Sequence, residues 1–293
     1  MLLKNFSHSL NFYFPKNSTL QQELSDYQRQ VLTLLDPLVI ENNLALNLPR
    51  INPYDGVGSV VEEIIHHPSY VAAGDIIYGS RLLERLAKPG GLLESLCFMF
   101  IASFAGEAGH NCPMACSAGI VRVFQHIPDF PLKKYYLEKL LVPNYRDNFT
   151  GAQFLTEVQG GSDVGLNATK AFQDEKGQWR IRGEKWFCSN ANAELILMTA
   201  RFDESIPGTK GLVLFLVPAK LESGERNHYI FRRLKDKIGT RSMASAEINF
   251  NDAYAIPMGE PSQGFKLVME NVLHLSRLFN TFCMLGMAHR AFQ

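Results

Sequence analysis

Two short segments hold the residues whose types and spacing could do chemistry. The first runs Gln153-Phe-Leu-Thr-Glu-Val-Gln-Gly-Gly-Ser-Asp163. A strand-like end gives way to Gly160 and Gly161, whose missing side chains let a ligand approach the main chain and let consecutive N–H groups point at acceptor atoms. Thr156 and Ser162 add hydroxyl donors on the same loop. Taken alone, the segment is a turn between two strands. The second segment runs Gly183-Glu-Lys-Trp-Phe-Cys-Ser-Asn190. Phe187 followed two positions later by Ser189 puts a ring and a hydroxyl on one face of a strand. That suits a planar heterocycle, with a ring for stacking and a donor for an edge nitrogen. Taken alone, an aromatic and a serine on a core face is the simpler reading.

Elsewhere the chemistry is thin. No G-x-G-x-x-G follows a strand, and P-loop, H-E-x-x-H and G-x-S-x-G patterns are missing. A nicotinamide-binding Rossmann unit is therefore not expected. His66, His67 and His110 read as loop or core residues rather than ligands, and Glu62-Glu63 as a solvated strand edge. The cysteines are five, an odd number at irregular positions: Cys97, Cys112, Cys116, Cys188 and Cys283. They read as reduced thiols of a cytoplasmic protein rather than a disulfide framework. Cys112 and Cys116 could hold a metal with His110, but no second ligand pair follows, so buried free thiols and no metal are expected.

The elements that must position these segments change character near residue 148. Before it, Leu20, Leu24, Tyr27, Val31, Leu34 and Leu38 mark one face of a helix, and Leu93, Leu96, Phe100 and Phe104 another, which Asn111 to Pro113 interrupts. A third helix is predicted from Leu132 to Leu141, ended by Pro143. Between the first two, Pro53-Tyr-Asp-Gly-Val-Gly58 is a turn-rich loop leading into a strand-like Ser59 to Ile65. From Thr150 the period becomes two. Trp179 and Ile181 alternate with Arg180 and Arg182 after the turn-forming Asp174 to Gly177. Leu195 to Met198 and Leu212 to Val217 are apolar runs of buried-strand length. Ala246 to Phe250 alternates again before Asn251-Asp252 turns the chain. About seven short strands in this stretch suggest a small barrel or sandwich. Then Phe265, Val268, Val272, Leu275, Phe279 and Phe282 return to helical spacing, still running at Gln293 without a Gly cap or Pro.

The fold class expected is thus α+β and multidomain. An N-terminal, mainly helical domain (residues 1–148) precedes a middle β-barrel (149–260), and residues 261–293 begin a further helical domain. The 293 residues have an ordinary globular make-up, 46% apolar and 20% charged, with 29 basic and 29 acidic side chains. A formal net charge of zero gives no drive onto DNA or an anionic membrane. The uncharged run from Ser95 to Gly106 is shorter than the roughly 20 residues a membrane span needs and reads as a buried helix. The amphipathic, aromatic Met1 to Pro15 lacks the parts of a secretory signal.

Together, T-E-x-x-G-G-S-D and, about twenty residues on, G-x-K-W-F-x-S resemble the middle domain of the acyl-CoA dehydrogenase family. Further matches follow in order: Lys235-Asp-Lys-Ile-Gly-Thr-Arg241 resembles its G-x-R segment, Phe250 to Pro257 its closing strand, Gly264-Phe-Lys the start of the next helix, and Arg277 a common arginine. Upstream, Pro53-Tyr-Asp, His67-Pro68, Glu107-Ala-Gly and Cys112-Pro113 bring the likeness nearest to the alkylation-response branch, the AidB-type proteins. That branch shares the Trp186-Phe187 order and the methionine at Met243.

The resemblance implies a helical domain, a β-barrel and a C-terminal four-helix bundle, with FAD as cofactor. It assigns Gln153, Leu155, Thr156, Gly161, Ser162, Phe187, Cys188 and Ser189 to FAD, with Ser189 near N5 and the pyrimidine edge. It assigns Thr156, Ser162, Ser189 and Arg277 to an acyl-CoA substrate. It further implies α,β-dehydrogenation by hydride transfer to flavin N5, and an electron-transfer flavoprotein or similar acceptor. The general base is expected late in the bundle, beyond this sequence; the position beside Arg277 is Ser276, which cannot act as a base at neutral pH. The sequence is accordingly expected to be a truncated member, acting as a homo-oligomer or with a separately encoded C-terminal half. The alternatives are a non-catalytic flavin- or CoA-binding remnant, an interaction half, or a DNA-alkylation-response protein. Arg232 to Lys237 is a solvated basic hairpin or a contact for CoA phosphates.

Overall fold

The structure is a computed structural model that describes residues 18–106 and 108–292. Met1 to Pro15 and Glu107, both named above, lie outside the described residues. The first described helix, Ser18–Gln30 (α1), runs through a π turn at Val31–Leu35 into Asp36–Asn42 (α2). Leu20, Leu24, Tyr27 and Val31 are buried as their spacing predicts, but Leu34 is 54% exposed and Leu35 and Val39 take the inner positions. The π turn is the cause. Its wider loop inserts one extra residue and advances the buried stripe by one position.

A two-stranded hairpin follows, Arg50–Tyr54 (β1) and Val60–Ile65 (β2). Pro53 and Tyr54, read above as loop, are strand residues; the turn is Asp55 to Ser59, where the Asp55 carboxylate accepts from the N–H groups of Val57 and Ser59. Helices Pro68–Gly79 (α3), Leu82–Ala87 (α4) and Leu92–Ala102 (α5) come next. Asn111 to Pro113 does not only interrupt a pattern: it opens Asn111–His126 (α6). Proline is tolerated there because first-turn N–H groups have no intrahelical acceptor. The helix is buried nearly all round. Met114, Ala115 and Ala118 join the helical core, while Ile120, Val121, Val123 and Phe124 lie on the barrel. Lys133–Leu140 (α7) closes the helical part.

The middle part is a seven-stranded sheet: Gly151–Phe154 (β3), Lys170–Gln173 (β4), Trp179–Ser189 (β5), Leu195–Arg201 (β6), Leu212–Pro218 (β7), Tyr229–Leu234 (β8) and Ser245–Pro257 (β9). The pairings β6–β4–β5–β9–β7 return to β6, so the sheet closes on itself, and β3 and β8 extend it on β6 and β9. Closure leaves few open edges. Ile196, Met198, Val213, Phe215 and Ile248 fill the inside, whereas Leu195, Leu197, Leu214 and Leu216 pack outward against α6. Burial on both faces explains why β6 and β7 read as unbroken apolar runs rather than alternations. Asn251-Asp252 is not a turn. The strand continues through it by a β-bulge, with Asp252 at φ 59° and its carboxylate held by Arg182 at 2.6 Å.

The last helix runs as Gly264–Leu267 (α8), a second π turn at Val268–Leu273, and His274–Phe292 (α9). Val268 and Val272 pack on the barrel side, and Leu275, Phe279 and Cys283 enter the helical core. One helix therefore ties both halves. Among the described residues no helix is long and apolar enough to cross a membrane.

Candidate functional site

The loop after β3 exists because of how β6 is edged. β3 pairs with Leu195 to Met198 of β6 and β4 pairs with Arg201 of the same strand, both in parallel. Residues 155–169 must leave that edge and return to it, and the excursion carries Thr156, Gly160, Gly161 and Ser162. Glu157 anchors it. Its side chain is buried, 2.6 Å from the Lys185 ammonium, and it accepts from the N–H groups of Ala168 and Thr169 and from Gln159 Nε2. Trp186 N–H donates to Thr156 O at 2.9 Å. The two sequence motifs are thus joined by one main-chain hydrogen bond and one buried ion pair.

Burial works against the charge on both partners. On Glu157 the Lys185 ammonium and the surrounding N–H donors outweigh it, and the carboxyl lies below its usual range. On Lys185 burial wins and holds the ammonium below its ordinary value. Glu157 and Lys185 were missing from the sequence-derived candidates. Their signal was one acid and one base at fixed places in the two motifs, whose short segments are otherwise destined for a strand and its loop.

On β5, alternation would send Lys185 and Phe187 to the same side. The register slips between Lys185 and Cys188, and the slip turns Trp186 and Phe187 both outward. Phe187 is 45% exposed and Ser189 half-buried on the same outer face, with Ser189 Oγ 3.2 Å from Ser245 Oγ. Cys188 lies in the barrel interior, where burial raises its thiol pKa above the ordinary range, so towards the outer face it can offer only main chain. The Lys235 ammonium sits 3.2 Å from the centre of the Trp186 ring while also contacting Glu247 at 2.7 Å.

Gln153 is half-buried on β3. Its Nε2 donates to Cys116 O at 3.4 Å, and its Oε1 accepts from Ser276 Oγ of α9 at 3.3 Å. Gly119 makes room for it: a Cβ there would stand 2.5 Å from Gln153 Nε2. Leu155 packs against the outer-face cluster and its carbonyl accepts from Asn167 Nδ2. Gly161 and Ser162 are exposed, and a Cβ on Gly161 would meet only Thr156 Cγ2 at 3.6 Å. Gly160 is different, since a Cβ there would lie 2.7 Å from Asp163 O. Asp163 is spent locally, accepting from Gly165 N–H. The structure joins the loop to β5 through the Thr156–Trp186 hydrogen bond and α9 to β3 through Ser276 and Gln153; Arg277 is exposed one residue beyond Ser276.

The bland readings find places of their own. His67 caps α3 by accepting from Ser69 N–H. The His66 ring stacks on Tyr70 and the His110 ring lies tilted against it, each ring centre 4.0 Å away. Glu62, expected on a solvated strand edge, is instead only 19% exposed at its side chain and lies 3.5 Å from Arg226. Arg232, Arg233 and Lys235 are engaged by Glu184 and Glu247. Among the described residues no group of three or more His, Cys, Asp or Glu is placed to hold a metal ion.

Helices on one side, a closed barrel in the middle and a final helix bridging both define the acyl-CoA dehydrogenase fold. The profile of the acyl-CoA dehydrogenase middle domain matches residues 152–253, and the chain belongs to the acyl-CoA dehydrogenase family. It is 30% identical over 259 residues to acyl-CoA dehydrogenase family member 11 of Caenorhabditis elegans, covering 84% of this chain and 42% of that protein. It is 29% identical over 238 residues to the putative acyl-CoA dehydrogenase AidB of Escherichia coli, covering 77% and 42%. The crystal structure of Caenorhabditis elegans ACDH-11 in complex with C11-CoA superposes with a TM-score of 0.86 at 25% identity, over 95% of this chain and 49% of that one. The chain spans less than half the length of these curated relatives.

Proposed function

We propose that this chain provides the flavin-binding face of an FAD-dependent acyl-CoA dehydrogenase-type oxidoreductase. The observation that carries the reading is the outer rim of the barrel. The exposed Gly161–Ser162 loop, the outward Phe187 and the half-buried Ser189 stand on one surface, and the Thr156 and Ser162 hydroxyls make no hydrogen bond to the described residues. Unpaired donors beside an exposed ring fit a planar, acceptor-edged group such as the isoalloxazine. In this reading Gln153, Leu155 and Thr156 line the ring from β3, Gly161 and Ser162 offer main-chain and hydroxyl donors, Ser189 donates to an edge atom, and Cys188 contributes main chain. FAD held there would take up the β-hydride of an acyl-CoA thioester.

The residues of this chain bind and align; they supply no base next to Arg277. Ser276 stands there, its hydroxyl hydrogen-bonded to Gln153 Oε1. Proton abstraction is then left to a group outside these residues, and Thr156, Ser162, Ser189 and Arg277 face the acyl-CoA. The barrel of residues 149–260 is the flavin-binding unit, residues 1–148 its helical support and 261–293 the first part of a further helical unit. The electron acceptor is an electron-transfer flavoprotein or a similar carrier.

The test is the visible spectrum of the purified chain with added FAD, followed by identification of the flavin released by denaturant. Bound FAD is expected, and Gly161→Val, which fills the open approach, is expected to lower its retention at least tenfold. A wild-type chain that takes up no FAD would overturn the reading. A second reading, a half that works only with a partner, is favoured by Leu278, Met284 and Leu285, which α9 leaves exposed. A monomeric elution profile without added partner would count against it.

A further inference from the structure

One cavity of the helical part takes no part in that reading. It measures about 300 Å³ and lies between the turn that joins α4 to α5 and the C-terminal end of α6, with Lys88, Pro89, Leu92, Arg122, Gln125 and His126 in its wall. We propose that this cavity is a binding site for a phosphate monoester, whose phosphate is held by Lys88 and Arg122.

The sequence builds both walls locally. On α6, Arg122, Gln125 and His126 stand three and four residues apart and share one side of the helix. The other wall is Lys88-Pro-Gly-Gly91, a tight turn that ends α4 and opens α5. Gly90 takes φ 77° there, and a Cβ on Gly91 would overlap Arg85 O. Gln125 ties the walls together. Its Nε2 donates to Ala87 O at 3.0 Å, and its Oε1 accepts from Arg122 Nη1 at 3.0 Å. That bond fixes the half-buried guanidinium and uses one of its five N–H groups; the others make no hydrogen bond to the described residues.

The charges around the cavity are all of one sign. Among the described residues none of Lys88, Arg122 and His126 forms an ion pair. The acids on the adjoining helices are engaged elsewhere, Glu84 lying 3.5 Å from Arg81 and Glu94 3.3 Å from Arg85. His126 Nδ1 donates to Arg122 O at 2.8 Å, because a carbonyl can only accept, so Nε2 is a donor only in the imidazolium. The standing charge is therefore two, from Lys88 and Arg122. A phosphate monoester, at about −1.5 to −2 near pH 7, matches it, whereas a carboxylate would leave one cation uncompensated. The planar guanidinium takes two phosphate oxygens side by side, and the ammonium adds a point charge to a third. The volume stands at the lower end of the roughly 300–1,000 Å³ of small-molecule sites. Pro89 and Leu92 supply apolar contact for the organic part that carries the phosphate.

The test uses the full chain, with and without saturating FAD, and titrates inorganic phosphate and glycerol 3-phosphate by calorimetry. One saturable site is expected for each, unchanged by FAD. Lys88→Gln and Arg122→Gln should each weaken it at least tenfold, with circular dichroism and the urea midpoint checking that Arg122→Gln is folded; Lys88 is exposed, so its variant leaves the core intact. Lys134→Gln, on α7, should change nothing, and acetate should bind at least tenfold more weakly than phosphate. Phosphatidylcholine vesicles with and without phosphatidic acid separate the sources of the phosphate. Sedimentation with phosphatidic acid that Lys88→Gln abolishes assigns a lipid headgroup; phosphate binding without sedimentation assigns a soluble ester. Binding of none of these phosphate probes, equal affinity in both variants and wild type, acetate as tight as phosphate, or displacement of phosphate by FAD would each overturn the proposal. FAD uptake is scored separately, so its failure would fall on the flavin reading alone.

Discussion

A lysine ammonium with no exposed surface survives only against a matched anion, and Lys185 has one in Glu157. The pair carries no reacting atom, yet it fixes the loop that bears Thr156 to the strand that bears Trp186 and Phe187. Removing one partner leaves the other buried and unpaired. Lys185→Met is expected to destabilise the fold by about 3–5 kcal/mol, read from urea unfolding, and the double variant Glu157→Leu/Lys185→Met is expected to recover most of that loss. A Lys185→Met chain as stable as wild type would show that water reaches Glu157. At the same scale, Trp186 and Phe187 point outward together only because β5 slips its register beside them, a local irregularity that a strict two-residue period does not contain.

Among the elements, the final helix shows most directly how close approach is encoded. Gly286 of α9 sits where a Cβ would come within 2.4 Å of Phe100 O, a main-chain atom of α5. The helix can reach the helical core only because that side chain is missing, and Leu275, Phe279 and Cys283 are buried as a result. Gly286→Ala is expected to push α9 away and cost about 1–3 kcal/mol, measured by thermal unfolding; a neutral outcome would show that α9 docks by its first turns alone. Gln153 gives a second link of this kind, because Ser276 on α9 reaches its Oε1. Loosening α9 should therefore also weaken whatever β3 holds.

For the whole molecule, the buried aromatic cluster at the meeting of helices and barrel sets how the fold responds to acid. Burial lowers the pKa of His110 to about 3 and that of His66 to about 4. Both imidazoles are neutral in the folded chain at neutral pH, whereas the unfolded chain protonates them near pH 6.5. The unfolded state binds more protons below that value, so stability is full above it and falls as the pH drops towards 4 for His66 and 3 for His110. Glu194, which burial holds above the usual carboxylate range, takes up a proton in the folded chain and works in the opposite direction. The informative quantity is the difference between wild type and His66→Gln. Between pH 6 and 5 the slope of unfolding free energy should be shallower in the variant by about 1 kcal/mol per pH unit; equal slopes would mean that His66 is already charged in the fold.

Much of this architecture was written in local patterns. Val31, Phe279, Ile181 and the Asp174 to Gly177 turn declare their elements through periodicity and turn chemistry alone, because one face of a helix or strand must meet the core wherever it ends up. The Gly161–Ser162 loop and the Phe187/Ser189 pair were legible for the same reason, their residue types sitting at spacings that local geometry interprets. What the sequence could not determine depends on partners distant in the chain. Leu35 replaced Leu34 inside the helical core because a π turn was accommodated against α3 and the Ser103–Ala105 turn. Asn111 to Pro113 opened a helix rather than only ending a pattern, because α6 is covered on nearly every side by the helical core and the barrel. Asn251-Asp252 stayed in β9 because Arg182 on the neighbouring strand holds the bulge. Opposite charges on Glu157 and Lys185 are visible in the sequence, but only closure of the barrel brings them to 2.6 Å in the same buried space. Local preference selects the elements; which faces are buried, and which polar groups meet there, is decided when the elements pack and every buried charge and N–H must find its partner.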